Sequence, residues 1–228
     1  LGSWMLSRFE HIDSWIFDLD LTLYGPEANI MAQVRDRIAL YVERHFNIGS
    51  DAAHQIRHTY WKKYGTTLGG LMAEHGVDPH GYLDFVHDVD MSLLQPATDL
   101  RDQIEALPGR KLIFTNADAP YAQRVLMARG LDGVFEDIFD IHRMQHLPKP
   151  APTSYDRLCT ELHIDPTRAL FVEDSAHNLG PAKALGMTTI WVNHDIGADS
   201  SGVEAFIDHE IADISGWLSS VHAIERTI

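Results

Sequence analysis

SWIFDLDLTLYG, residues 14–25, is the stretch from which the fold of this chain is read outward. Trp15, Ile16 and Phe17 make a short apolar run of the kind that forms the body of a buried strand, and a strand over residues 13–19 is expected. Asp18 and Asp20 follow one residue apart, and Thr22 comes two further on. Side chains alternate faces along a strand, so Asp18 and Asp20 project to the same side. Like charges that close repel, and burying either one unpaired is costly. An acidic pair at the end of the most hydrophobic early segment therefore needs a chemical reason.

The bulk numbers narrow the field. The chain has 228 residues, 45% of them hydrophobic and 22% charged, enough for one full-sized domain or a domain with a substantial insertion. A formal net charge of −15 argues against nucleic-acid polymers and anionic membranes, which want a basic surface. No uninterrupted apolar span and no basic-then-apolar leader is visible. The opening LGSWM lacks an initial Met, so Gly2-Ser3 reads as a cloning scar and Met5 as a native start. Cys159 is the only cysteine, which removes an intramolecular disulfide and a cysteine zinc cluster and leaves a small residue packed on a helix. The expectation is a soluble cytoplasmic protein, monomer or homodimer.

Past residue 110 the texture is one of short apolar runs alternating with helical patterns. KLIFTN (111–116), ALFVED (169–174) and TTIWVN (188–193) read as buried parallel strands, with FEDIFD (135–140) a weaker fourth. Helices are expected over 121–129, 154–162 and 179–185, the last stopped by Gly186. This alternation means βαβ units, that is, an α/β fold with a doubly wound parallel sheet and helices on both faces. Between Gly25 and Pro108 no comparable strand occurs. Ile30, Val34, Ile38 and Val42 fall four apart on a helix starting near Pro26-Glu27. Ser50 is placed to cap a second helix reaching Lys63, Gly65 and Gly69-Gly70 to interrupt a third, and Pro79 to open a fourth around 82–89. A last helix is expected over 98–107.

In an open parallel sheet, ligands sit beyond the carboxyl ends of the strands. Those ends hold Asp18, Asp20 and Thr22, then Thr115 and Asn116, then Glu173 and Asp174, with Lys149 in the loop LPKPAP. Four carboxylates and one lysine at one edge call for a cation, and Mg²⁺ takes one or two carboxylates together with phosphate oxygens and water. Each piece then has a use. A carboxylate can be a nucleophile, a second can serve as acid and base, and hydroxyls, backbone N–H groups and a lysine can hold phosphate oxygens.

On these residues the chain resembles the haloacid dehalogenase-like phosphatase superfamily. D-x-D-x-T is matched by residues 18–22, the apolar strand ending in Thr by LIFTN with Thr115, the isolated lysine by Lys149, and the acidic pair by FVEDSAHN with Glu173 and Asp174. The resemblance implies a Rossmann-like core of residues 1–24 and 106–228 and a helical cap of the C1 type over residues 25–105. It implies Asp18 as nucleophile and metal ligand, and Asp20 as general acid and base that offers its backbone carbonyl to Mg²⁺. Asp174 would bind the metal directly and Glu173 through water, while Thr115, Asn116 and Lys149 would hold the phosphoryl group. An acid at Asp20 also disfavours carbon–halogen chemistry, since the dehalogenases proper lack one there.

YGTTLGGL in the cap, TNADAPYAQRVL after the second motif and VEDSAHNLGPAKALGMTTIWV around the fourth are similar to the pyrimidine 5′-nucleotidase subgroup. That likeness implies hydrolysis of UMP or CMP to nucleoside and phosphate. Tyr64, Thr66 and Thr67 are the expected cap contacts, and Asn116 and Asp118 are candidate sugar contacts, although Asn and Asp also merely shape turns. A sugar-phosphate phosphatase, a phosphomutase of the β-phosphoglucomutase type and a non-catalytic phosphate- or metal-binding regulator are the alternatives. His54/His58 and His142/His146 have a zinc-like spacing but lack the glutamate of H-E-x-x-H, and they are read as surface or packing residues. HDVD (87–90) and FIDHEIADI (206–214) are read as solvated faces or strand edges, Trp15 and Trp191 as core.

Overall fold

The computed structural model describes residues 9–195 and 201–222, so the readings of Gly2-Ser3 and Met5 lie outside the described residues. Six parallel strands form one sheet in the order β3-β2-β1-β4-β5-β6. They are β1 (Ser14–Phe17), β2 (Arg110–Phe114), β3 (Asp137–Phe139), β4 (Ala169–Glu173), β5 (Thr188–Val192) and β6 (His209–Ile211). The stretch at residue 14 becomes the central strand, Phe17 standing level with Ile113 on one side and Val172 on the other.

Alternation explains why these strands are apolar throughout. Trp15 and Phe17 enter one core layer with Ile113, Leu170 and Val172. Ile16 enters the opposite layer with Leu112, Phe114 and Phe171. A strand buried on both faces has no polar side to offer, which is why its pattern is a run and not an alternation. Trp15 and Trp191 are both buried, and each indole N–H finds a carbonyl, at Pro108 (2.7 Å) and Asp174 (2.8 Å) respectively. Gly109 opens β2 at φ 84°, where an added Cβ would stand 2.3 Å from the Asp13 carbonyl oxygen, so only glycine fits.

Between β1 and β2 lie α1 (Ile30–Phe46), α2 (Ser50–Tyr64), α3 (Thr67–His75), α4 (Pro79–Val86) and α5 (Thr98–Glu105). The first helix starts later than its apolar stripe suggested, because Pro26–Ala28 makes a separate 3-10 turn and Asn29 takes a left-handed conformation. Gly49, not Ser50, occupies the N-cap of α2. Gly69-Gly70 does not break a helix; both lie inside α3, which is capped by the Thr66 hydroxyl accepting from Gly69 N at 2.8 Å. Gly70 is there for packing, since a Cβ on it would come 2.1 Å from the ring of Tyr60 on α2. Asp78 caps α4, accepting from Gly81 N at 2.9 Å, with Pro79 in the first turn.

The rest of the chain supplies α6 (Ala119–Ala128), α7 (Pro152–Leu162), α8 (Ala176–Leu185) and α9 (Ile214–His222). Here β6 and α9 go beyond the elements expected from sequence; β6 emerges from the acidic run 206–214. By packing, α5 goes with the sheet and not with α1–α4: Leu100 and Ile104 join the layer that holds Ile214 and Leu218 of α9. On sequence that helix falls with residues 25–105 because no strand pattern occurs between Gly25 and Pro108, and a missing strand does not reveal which face a helix covers. Among the described residues no helix is long and apolar enough to cross a membrane.

Candidate active site

The carboxyl ends of β1, β2 and β4 converge. Asp18 continues from β1 and its N–H still donates to Val172 O at 2.9 Å, which pins it beside the end of β4. The chain then turns sharply, with Leu23 N donating to Leu19 O at 3.0 Å and Leu21 at φ 60°. A left-handed leucine is unfavourable on its own. Its carbonyl is held from outside by His194 Nε2 at 2.5 Å, just past β5. Thr22 is buried and its hydroxyl donates to Asp18 Oδ2 at 3.4 Å. Thr115 is buried at the end of β2, its N–H on Phe139 O and its oxygen accepting from Ala117 N, each at 3.0 Å.

Lys149 is the hub of this edge. Its ammonium donates to Asp18 Oδ1 (2.8 Å), Glu173 Oε2 (2.7 Å) and Phe114 O (2.8 Å), and its side chain is 1% exposed. Asn116 holds the loop that carries it, accepting from Lys149 N at 2.8 Å and donating to Lys149 O at 3.3 Å. Asp174 completes the group: one oxygen each from Asp18, Glu173 and Asp174 lies within 4.8 Å of the others. Sequence separations of 131 and 24 residues are closed here by the strand order alone.

Three carboxylates against one ammonium leave two excess negative charges in a buried place, and the pKa values register the strain. Burial, then the charge of Glu173, pushes Asp18 up to about 7 against the opposing pull of Lys149. Burial with Asp18 and Glu173 pushes Asp174 up to about 10. For Glu173 burial acts upward too, but Lys149, a hydrogen bond from Asp174 and the N–H of Ser175 outweigh it and hold it below the usual range. Burial pulls Lys149 down, and the two carboxylates more than offset that, so it stays protonated. An all-oxygen donor set that carries two surplus negative charges once fully ionised fits a hard divalent cation, and no thiolate or imidazole is part of it.

Asp20 sits apart from that cluster. Burial raises its pKa, while phenol hydroxyls oppose the rise: Tyr121 donates to Asp20 Oδ1 at 2.6 Å, and Tyr24 donates to the same oxygen. His87 stacks on the Tyr121 ring (centroids 4.2 Å apart, 20° between planes), and its Nδ1 bonds Asp118 Oδ1 at 2.7 Å. So Asp118 is turned towards His87 and does not line the cavity beside Asp20. The chain Asp118–His87–Tyr121–Asp20 joins the segment after α4 to the strand-end loop. Tyr24, Tyr121 and His87 went unnoticed in the sequence. Tyr24 could have been suspected from its place directly behind D-x-D-x-T. His87 could not, because HDVD looks like a solvated run, whereas the imidazole is buried.

A cavity of about 310 Å³ opens beside Asp20, bounded by α1, α3 and α4 on one side and by the loops after β2 and β3 on the other. Thr66, Thr67 and Asn116 lie on its wall. Tyr64 does not; its hydroxyl donates to Glu74 Oε1 at 2.7 Å on the outer surface, next to Lys63. A residue at the C-terminus of α2 faces whatever the helix phase dictates, and here that is α3 rather than the cavity. His54 and His58 are exposed, while His142 Nδ1 and His146 Nε2 bond each other at 3.0 Å. Cys159 is half-buried on α7, and burial pushes its thiol up to about 11.

The family model described as haloacid dehalogenase-like hydrolase matches residues 15–192. Among curated proteins, Phosphate metabolism protein 8 of Saccharomyces cerevisiae is 23% identical over 191 residues, covering 76% of this chain and 59% of that protein. Enolase-phosphatase E1 of Frankia alni is 35% identical over 88 residues, 37% of this chain and 36% of its own length. The chain thus spans 36–59% of the length of the curated relatives it matches. Among solved structures, the HAD-hydrolase YfnB from Bacillus subtilis, bound to magnesium, superposes with TM-score 0.61 at 18% identity over 92% of this chain and 99% of that one. L-2-haloacid dehalogenase from Xanthobacter autotrophicus does so with TM-score 0.55 at 17% identity over 93% of this chain and 99% of that one. At such identities these two likenesses speak for the fold.

Proposed function

We propose that this chain, which belongs to the haloacid dehalogenase-like hydrolase family, is a Mg²⁺-dependent phosphomonoesterase working through an aspartyl-phosphate. The observation that carries the reading is the buried ammonium of Lys149 shared by Asp18 and Glu173 beside Asp174, with a second, separately held carboxylate at Asp20. Asp18 attacks phosphorus while the ester bond to the leaving oxygen breaks, and Asp20 gives that oxygen a proton. A water then attacks the aspartyl-phosphate, Asp20 takes its proton, and phosphate departs with Asp18 restored. Asp20 has the setting for both duties, because burial favours its protonated form and two phenols favour its ionised form. Lys149, Thr115, Asn116 and Thr22 hold the phosphoryl oxygens. Asp18, Asp174, Glu173 and the backbone carbonyl of Asp20 would hold Mg²⁺, which when bound offsets charge on the phosphoryl group.

Within residues 25–105, helices α1–α4 act as a cap whose closure keeps water from the first step. The preferred substrate is a pyrimidine nucleoside monophosphate, UMP or CMP, with Thr66 and Thr67 as the cap contacts and the apolar wall against the base. Support comes from the subgroup-like stretches at 64–71, 115–126 and 172–192 and from the hydroxyls of Thr66 and Thr67 on the cavity wall. An acid at Asp20 goes against a 2-haloacid substrate, whose halide leaves without a proton. Phosphate release from UMP, CMP, dUMP, dTMP, AMP, GMP and several sugar phosphates, with Mg²⁺ and with EDTA, tests the reading. Metal-dependent preference for the pyrimidine nucleotides is the expected result. Activity confined to sugar phosphates would keep the mechanism and discard the substrate.

A further inference from the structure

The cavity beside Asp20 is walled by Val34, Leu68, Leu83, Val86 and Ile141, and no Lys or Arg stands among the described residues that line it. Arg57 shares Thr67 with this wall but opens onto a separate surface pocket with His54, His58 and Trp61. The two imidazoles on the wall supply no free positive charge. His87 is bonded to Asp118 at 2.7 Å, so a proton there is matched by that carboxylate. Burial, then the neighbouring His142 and His80, hold His146 below the usual imidazole range. What remains on the wall is one acidic side chain, Asp20, and the neutral hydrogen-bonding groups of Thr66, Thr67, Tyr82 and Asn116.

We infer that this site selects phosphomonoesters whose leaving group is a neutral alcohol with an extended apolar face, and rejects those whose leaving group carries a second anion such as a carboxylate. The inference deepens the phosphatase reading above and rests on it. A carboxylate entering this cavity loses its water and meets no cation in exchange. Neutral oxygens and ring faces lose little, because the threonine hydroxyls and the apolar wall replace what water supplied.

The test is kcat/KM with Mg²⁺ for two pairs that differ by a carboxylate: UMP against orotidine 5′-monophosphate, and 2-hydroxyethyl phosphate against phosphoglycolate. The neutral member should win by about 100-fold or more in each pair that turns over. Met31→Lys puts a cation on the same wall at a half-buried position and should narrow the gap at least about tenfold; Ile38→Lys, also on the wall and half-buried, serves if the first variant does not fold. Parity within a pair, or a gap unchanged in a folded lysine variant, overturns the inference, the second outcome pointing to shape instead of charge. If UMP is inert while 2-hydroxyethyl phosphate still beats phosphoglycolate, the nucleotide reading fails and the neutral-leaving-group rule stands. No turnover of any of the four overturns both.

Discussion

Replacing Lys149 with Met removes the ammonium from Asp18, Glu173 and Phe114 O while keeping most of the side-chain volume. Lys149 and Glu173 are each 1% exposed, so water does not step in, and a carboxylate left behind escapes its penalty by binding a proton. A carboxyl of ordinary pKa 4.5 that must bind a proton at pH 7.5 does so against three pH units, about 4 kcal/mol at 1.36 kcal/mol per unit. At pH 5.5 the same protonation costs about 1.4 kcal/mol. In the wild-type protein Glu173 is held below its ordinary value and stays ionised across this range, so it adds no pH dependence here. In the variant the folded state holds one proton more than the unfolded chain, so its stability falls as pH rises. The deficit relative to wild type should therefore grow by about 1.4 kcal/mol for each pH unit between these two values. Urea unfolding followed by tryptophan fluorescence, both proteins in EDTA, measures it. A deficit below about 1 kcal/mol at pH 7.5, or one that does not change with pH, would refute the claim that Lys149 is the counter-charge of this edge.

Asp18→Asn should abolish phosphate release while leaving the circular dichroism spectrum intact; substantial residual turnover would sink the covalent mechanism. Tyr121→Phe removes a hydrogen bond to a carboxylate worth about 1.5–3 kcal/mol, so alkyl phosphates should slow by about 10–100-fold relative to p-nitrophenyl phosphate. Equal slowing of both substrates would show that Tyr121 does not act through Asp20. With Asp18 pushed up to about 7 and Asp174 up to about 10, the metal-free folded state keeps protons that the unfolded chain releases near 3.8. Stability in EDTA should then fall from pH 5.5 to 8.5 and flatten when Mg²⁺ is added, and a melting temperature indifferent to pH in EDTA would contradict this. Gly70→Ala drives a methyl into the Tyr60 ring and should cost about 1–3 kcal/mol by thermal melting; an unchanged Tm would mean that α2 and α3 separate freely.

The sequence by itself determined the sheet and the order of its chemistry. Runs such as 15–17, 112–114 and 170–172 are apolar at every position because both faces of a parallel sheet are covered, and a polar residue at the carboxyl end of such a run has only the ligand edge to go to. Asp18, Thr115, Glu173 and Asp174 could be gathered on paper for that reason, and Lys149, in its loop, through the resemblance to the family's isolated lysine. Only the tertiary structure decided the rest. Helical periodicity tells which residues share a stripe, not which way the stripe is turned. So Tyr64 faces Glu74, α5 lies on α9, and Gly70 admits the Tyr60 ring instead of ending a helix. The tyrosine pair on Asp20 spans 101 residues for Tyr121, and the His87–Asp118 bond spans 31, with no local pattern to announce either. A buried polar group declares itself by its partner, and where that partner comes from a distant segment, only the folded chain can name it.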